Sequence, residues 1–181
     1  MNLPNLITIG RLLLAPLLIL VLTLWQADTA RWWALGIFLL AALTDWLDGY
    51  LARRLNQITD LGKILDPLVD KILILAALLV LVQLGDVPAW SVFIILLREM
   101  FIASWRVNQT QVQGANIWGK LKTVGQILAV ALLLAPLAPV WDIPILMIYG
   151  GAIALTVISG LIYIKESYSI PPIIPDTINN T

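Results

Sequence analysis

The chain reads as an all-α polytopic membrane protein, with six transmembrane helices and both termini in the cytoplasm. Three observations predict this. Of 181 residues, 60% are hydrophobic and only 12% charged, with a mean hydropathy of +0.93, whereas soluble domains carry about 25% charged residues. Six apolar stretches each approach the length of about 20 helical residues that crosses a bilayer core. The basic residues, finally, collect on alternate turnarounds.

The six stretches cover about 6–25, 32–53, 63–84, 88–107, 117–136 and 142–164. Charges, prolines or glycines separate them at Gln26 to Arg31, Leu55 to Gly62, Gly85 to Pro88, Asn108 to Asn116, and Leu137 to Trp141. The first stretch lacks the basic start and small-residue cleavage pattern of a signal peptide, so it is expected to be retained. Together they make one domain over 1–166, and the Pro-rich, polar tail 167–181 is expected to be poorly ordered. Arg53, Arg54, Lys63, Lys71, Arg98, Arg106, Lys120, Lys122 and Lys165 fall at one set of ends, with Arg11 near the N-terminus. By the positive-inside rule that side is cytoplasmic. Trp25, Trp32, Trp33, Trp90 and Trp141 gather near the other boundary, as interfacial aromatics do.

Composition also limits the chemistry. Formal net charge is zero, which argues against a nucleic-acid-binding surface. With neither cysteine nor histidine, thiolate and imidazole chemistry are excluded. Carboxylates, Lys, Arg and hydroxyls remain.

The carboxylates lie where they are expensive. Only thirteen residues, Trp32 to Thr44, precede Asp45, and thirteen, Ile72 to Leu84, follow Lys71. At about 1.5 Å per residue each run covers roughly 20 Å of a core about 30 Å thick. Asp45, Asp48, Asp66 and Asp70 are therefore expected about 10 Å inside the cytoplasmic boundary. Arg98, after eleven residues from Val87 to Leu97, should reach that level or deeper. Charges at such depth usually mark a water-filled cavity in which they find partners. Asp45 and Asp48 are i, i+3 and Asp66 and Asp70 are i, i+4, so each pair shares a helical face. Four converging carboxylates need cations among them, and hard oxygen ligands suit two Mg²⁺ or Mn²⁺ ions. Gly49 and Ala52 remove bulk beside the first pair, and Arg53 can reach a phosphate.

The pattern Asp45-x2-Asp48-Gly49-x2-Ala52-Arg53-x8-Gly62-x3-Asp66-x3-Asp70 resembles the complete signature of the CDP-alcohol phosphotransferases. The resemblance runs along almost the whole chain. It implies a six-helix membrane enzyme that moves a phosphatidyl or similar group from a CDP-linked donor to an alcohol and releases CMP. By the same resemblance Asp45, Asp48, Asp66 and Asp70 would bind two metal ions, with Asp70 also the general base for the acceptor hydroxyl. Gly49, Ala52, Arg53 and Thr59 would line the site of CDP-diacylglycerol, closed by Asn5 and Thr8. A homodimer in a bacterial-type inner or plasma membrane, with the site facing the cytoplasm, is the implied setting.

A second basic group bears on the acceptor. Arg98 opens "REMFIASWR", Arg106 closes it, and "WGKLKTVGQ" carries Lys120 and Lys122. With "NLPNLITIGR" at the N-terminus, these stretches are similar to the phosphatidylglycerophosphate synthases, the branch of the family that uses glycerol 3-phosphate. A phosphate on the acceptor needs its own anion site, and Arg98, Arg106, Lys120 and Lys122 are the candidates. Lys120 and Lys122 also fit as anchors at the lipid headgroups. Other acceptors stay open at this point, among them phosphatidylglycerol, as in cardiolipin synthesis, serine and an inositol phosphate. A cation transporter is the reading from another class, although it gives no reason for Gly49, Ala52 and Gly62 at these spacings.

Overall fold

The computed structural model describes the backbone of residues 3–25, 28–54, 60–107 and 117–168, and the side chains of 10–25, 28–44, 69, 71–104 and 117–165. Six α-helices account for most of it: α1 (Leu3–Leu24), α2 (Asp28–Arg54), α3 (Asp60–Leu84), α4 (Ala89–Val107), α5 (Ile117–Leu134) and α6 (Asp142–Tyr168). A 3₁₀ turn at Pro139–Trp141 leads into α6, and the described residues contain no strand. The helices follow the six apolar stretches but run past several of their ends. Thus α3 begins at Asp60 rather than near 63, and α6 continues to Tyr168, beyond the boundary drawn at 166.

Local chemistry explains the turns. Gly85 adopts φ 84°, a left-handed conformation open to glycine. Its N–H reaches Val82 O at 3.1 Å, and the Asp86 N–H reaches Leu81 O at 2.9 Å. Both bonds of a Schellman cap are present, and Pro88 bars continuation of the helix. Acidic residues Asp28 and Asp142 occupy the first turns of α2 and α6, where the helix dipole favours them. Pro16 lies inside α1, which membrane helices tolerate when neighbouring groups satisfy the freed carbonyl.

Packing gives the helices their inner faces. Helix α1 packs on α2 and α3, α5 on α6, and α4 on α6, while α2 and α3 both meet α5. Ala30, Ala34, Phe38 and Ala41 form the buried stripe of α2, and its three alanines let helices approach closely. The stripe of α6 runs through Ile145, Tyr149, Ala152, Thr156 and Ser159. Leu18, Leu73, Leu78, Leu81, Val130 and Leu134 complete the core between them.

The exterior is apolar. Leu13, Leu20, Trp33, Leu40, Phe93, Val124, Met147 and Leu161 all stand exposed. Soluble monomers rarely expose apolar patches beyond a few hundred Å², so this surface suits hydrocarbon. Two helices, Ile117–Leu134 and the segment Pro139–Lys165, are long and apolar enough to cross a membrane on length and composition. Gly10–Leu24 and Lys71–Leu84 add shorter apolar stretches.

At the end where α1, α3 and α5 finish, Arg31 donates to Asp86 Oδ2 at 2.6 Å and to Leu133 O at 3.2 Å. That clasp joins α2, the α3–α4 turn and the last turn of α5. A cavity of about 510 Å³ opens beside it, lined by Asp28, Arg31, Asp86 and Asp142 among apolar residues.

Candidate active site

The signature residues lie on two packed helices at the opposite end. Continuous helical backbone in α2 carries positions 45, 48, 49, 52 and 53, and α3 carries 66 and 70. On an unbroken helix the i, i+3 and i, i+4 spacings keep each aspartate pair of positions on one face. The side chains of Asn5, Thr8, Asp45, Asp48, Gly49, Ala52, Arg53, Asp66, Asp70 and Arg106 lie outside the described residues, as does Thr59 altogether.

Lys71, the chain neighbour of Asp70, leads into the described part of the site. Its Nζ lies 3.7 Å from Glu99 Oε2. Glu99 is 8% exposed, and its other oxygen, Oε1, accepts from Lys122 Nζ at 2.5 Å and from Arg98 Nη1 at 3.1 Å. One buried carboxylate thus gathers three cations from α3, α4 and α5. This places Arg98 near the Lys71 turn of α3, the turn that follows Asp70 in the chain.

The candidates for an acceptor phosphate separate from one another. Lys122 is 7% exposed and paired with Glu99, whereas Lys120 is exposed. Arg98 is braced on both sides, because its Nη2 donates to Ser159 Oγ at 3.0 Å. Ser159 donates in turn to Thr156 O at 3.0 Å, and Thr156 Oγ1 accepts from Gln126 at 2.9 Å. Gly160 clears space for the arginine: a Cβ there would lie 3.2 Å from Arg98 Cγ. Arg106 belongs to the last turns of α4. Arg11, 2% exposed, is buried inside the bundle rather than spread over its surface.

In the sequence Glu99 is simply the neighbour that can neutralise Arg98, and Lys71, Ser159 and Gly160 are not assigned to this cluster. One signal was available for Lys71, since it stands beside Asp70. Nothing local marks Ser159 or Gly160, whose roles depend on a side chain some sixty positions away.

A sequence model of the family described as CDP-alcohol phosphatidyltransferase matches residues 1–162. The chain belongs to this family. Its similarity to curated members is spread along their length. It is 38% identical to the CDP-diacylglycerol–glycerol-3-phosphate 3-phosphatidyltransferase of Bacillus subtilis, over 92% of this chain and 95% of that protein. The enzyme of the same name from Pseudomonas fluorescens is 39% identical over 93% of this chain and 91% of its own. A probable phosphatidylglycerophosphate synthase of Mycobacterium tuberculosis is 38% identical, with 92% and 81% covered. The residues matched to the family model include both aspartate-bearing helices and the Glu99 cluster.

Proposed function

We propose that the chain transfers the phosphatidyl group of CDP-diacylglycerol to glycerol 3-phosphate, giving phosphatidylglycerophosphate and CMP. The observation that carries this reading is the contact of Lys71 with Glu99. Lys71 follows Asp70 in α3, so its contact with the cation group of α4 and α5 supports an anion site near the signature positions. The names of the similar proteins support the same acceptor.

In the proposed reaction, the 1-hydroxyl oxygen of glycerol 3-phosphate attacks the lipid-linked phosphorus of the donor. The bond from that phosphorus to the CMP oxygen breaks as the new ester bond forms, and CMP leaves. Asp70 takes the hydroxyl proton. Arg53 and the backbone at Gly49 receive the nucleotide phosphates, while Lys122 and Arg106 hold the acceptor's phosphate. Asp45, Asp48, Asp66 and Asp70 supply a donor set of four carboxylates on two packed helices, which fits two hard divalent cations such as Mg²⁺ or Mn²⁺. When bound, such ions offset the charge of the phosphoryl oxygens.

The setting belongs to the same proposal. All six helices cross the membrane, both termini face the cytoplasm, and the acyl chains of the donor pass sideways from the site into lipid. Supporting this, Trp25, Trp32, Trp33, Trp90 and Trp141 are all exposed at the clasp end, as interfacial tryptophans are. The buried cations Lys122 and Arg98 belong to the other end. A homodimer in a bacterial-type inner membrane is the proposed assembly.

Release of labelled CMP from CDP-diacylglycerol, with each acceptor alcohol added in turn, tests the reading. We expect release that depends on glycerol 3-phosphate and a divalent cation, and that falls at least about a hundredfold in Asp70→Asn. Release with serine or phosphatidylglycerol instead would reassign the acceptor, and none with any alcohol would remove the enzyme class.

A further inference from the structure

We infer that Glu99 is a positioning residue for the acceptor: a single buried carboxylate that sets two lysines of different helices at a fixed place beside Asp70. The inference rests on the proposed acceptor and goes beyond it, because it concerns an acid in a site built to hold an anion.

The geometry is specific. Glu99 uses its two oxygens for different helices. Oε1 faces Lys122 of α5 and Oε2 faces Lys71 of α3, with Arg98 of α4 also on Oε1. Lysine side chains carry about 2 kcal/mol of rotamer entropy, and two ammonium groups left in one cavity repel and spread apart. A shared carboxylate reverses both tendencies. Each ammonium has three N–H donors, so donors remain for a phosphate after Glu99 is served.

Arg98 has a different part. Its Nη1 and Nη2 are held by Glu99 and Ser159, and its stem lies against Gly160. It braces the carboxylate from behind, and the two lysines then present the charge. Stability alone does not account for such an arrangement, since replacing a buried ion cluster by packed apolar groups is often neutral or stabilising. The arrangement does explain how a small acceptor is aligned. Lys71 is covalently next to Asp70, so anchoring Lys71 through Glu99 also relates the phosphate end of the acceptor to the base that takes its hydroxyl proton.

The test uses the full-length protein in detergent–lipid micelles, with Michaelis constants measured separately for glycerol 3-phosphate and CDP-diacylglycerol. Glu99→Gln keeps the shape and removes the charge. We expect the KM for glycerol 3-phosphate to rise at least about tenfold, with the KM for CDP-diacylglycerol within about twofold. Glu99→Asp keeps the charge but shortens the reach, and should give a smaller rise in the same constant alone. If Glu99→Gln does not accumulate as folded protein, Glu99→Asp is read by the same criteria and decides the matter. A KM for glycerol 3-phosphate that is unchanged or lowered would mean that Glu99 only offsets charge. Both constants rising together with a lower melting temperature would make it a packing residue. Either result overturns the inference while leaving the function in place. A wild type inert toward glycerol 3-phosphate overturns both.

Discussion

Lys120 and Lys122 show how much one residue's register decides. Two positions apart on a helix are about 200° apart around its axis, so only one of the pair can face the bundle. That one is Lys122, buried against Glu99, while Lys120 is exposed. Residue identity alone makes them equivalent; helical geometry does not. Gly160 makes the same point for a residue with no side chain. In Gly160→Ala the new Cβ would press on the Arg98 stem at 3.2 Å, and that stem is held at both Nη atoms and cannot readily yield. A helix interior otherwise favours Ala over Gly by about 1 kcal/mol. We expect this gain to be outweighed, for a net loss of about 1 kcal/mol, in keeping with overpacking costs of about 1–3 kcal/mol. Gly150→Ala is the control, because nothing lies within 4 Å of its added Cβ. It should be neutral or mildly stabilising, and thermal unfolding of the two variants in detergent separates the cases.

Among the elements, the outer clasp separates stability from catalysis. Arg31 ties α2 to the α3–α4 turn and to the C-terminal turn of α5, through a partly buried ion pair and a carbonyl contact. Such pairs contribute modestly, so Arg31→Met should lower stability by about 1 kcal/mol. Both Michaelis constants should stay unchanged, since the clasp lies at the end away from Glu99; a shift in either would link the two ends. The helices themselves were legible in the sequence. Hydrophobic length, the Gly85–Pro88 break and the prolines before α6 placed each one to within a few residues. The aspartate signature was legible too, because its spacing is local to two consecutive segments. The Glu99 cluster was not, because Lys71, Glu99, Lys122 and Ser159 come together only when α3, α4, α5 and α6 pack. Periodicity says which face of a helix is buried, but it is silent on which buried charges meet.

For the whole molecule, the natural absence of cysteine makes the proposed orientation directly measurable. Val140 stands exposed in the 3₁₀ turn, and Lys165 stands exposed toward the far end of α6. In intact cells, Val140→Cys should react with a membrane-impermeant maleimide. Lys165→Cys should react only after permeabilisation. The reverse pattern would invert the topology, and equal labelling would place both positions on one side of the membrane.

The three-helix grip on Glu99 also bears on how the protein is made. Helix α4 is synthesised with Arg98 and Glu99 adjacent in its middle, before Lys122 and Ser159 exist to receive them. A charged residue at the centre of a membrane helix costs about 2.5–3.5 kcal/mol on insertion scales. In the proposed topology α4 is thus a poor guest in lipid by itself and becomes a settled one only after α5 and α6 emerge from the ribosome. The same cluster thus gives the last two helices a part in settling the fourth, because a chain cut short after α4 keeps Lys71 beside Glu99 but lacks Lys122 and Ser159.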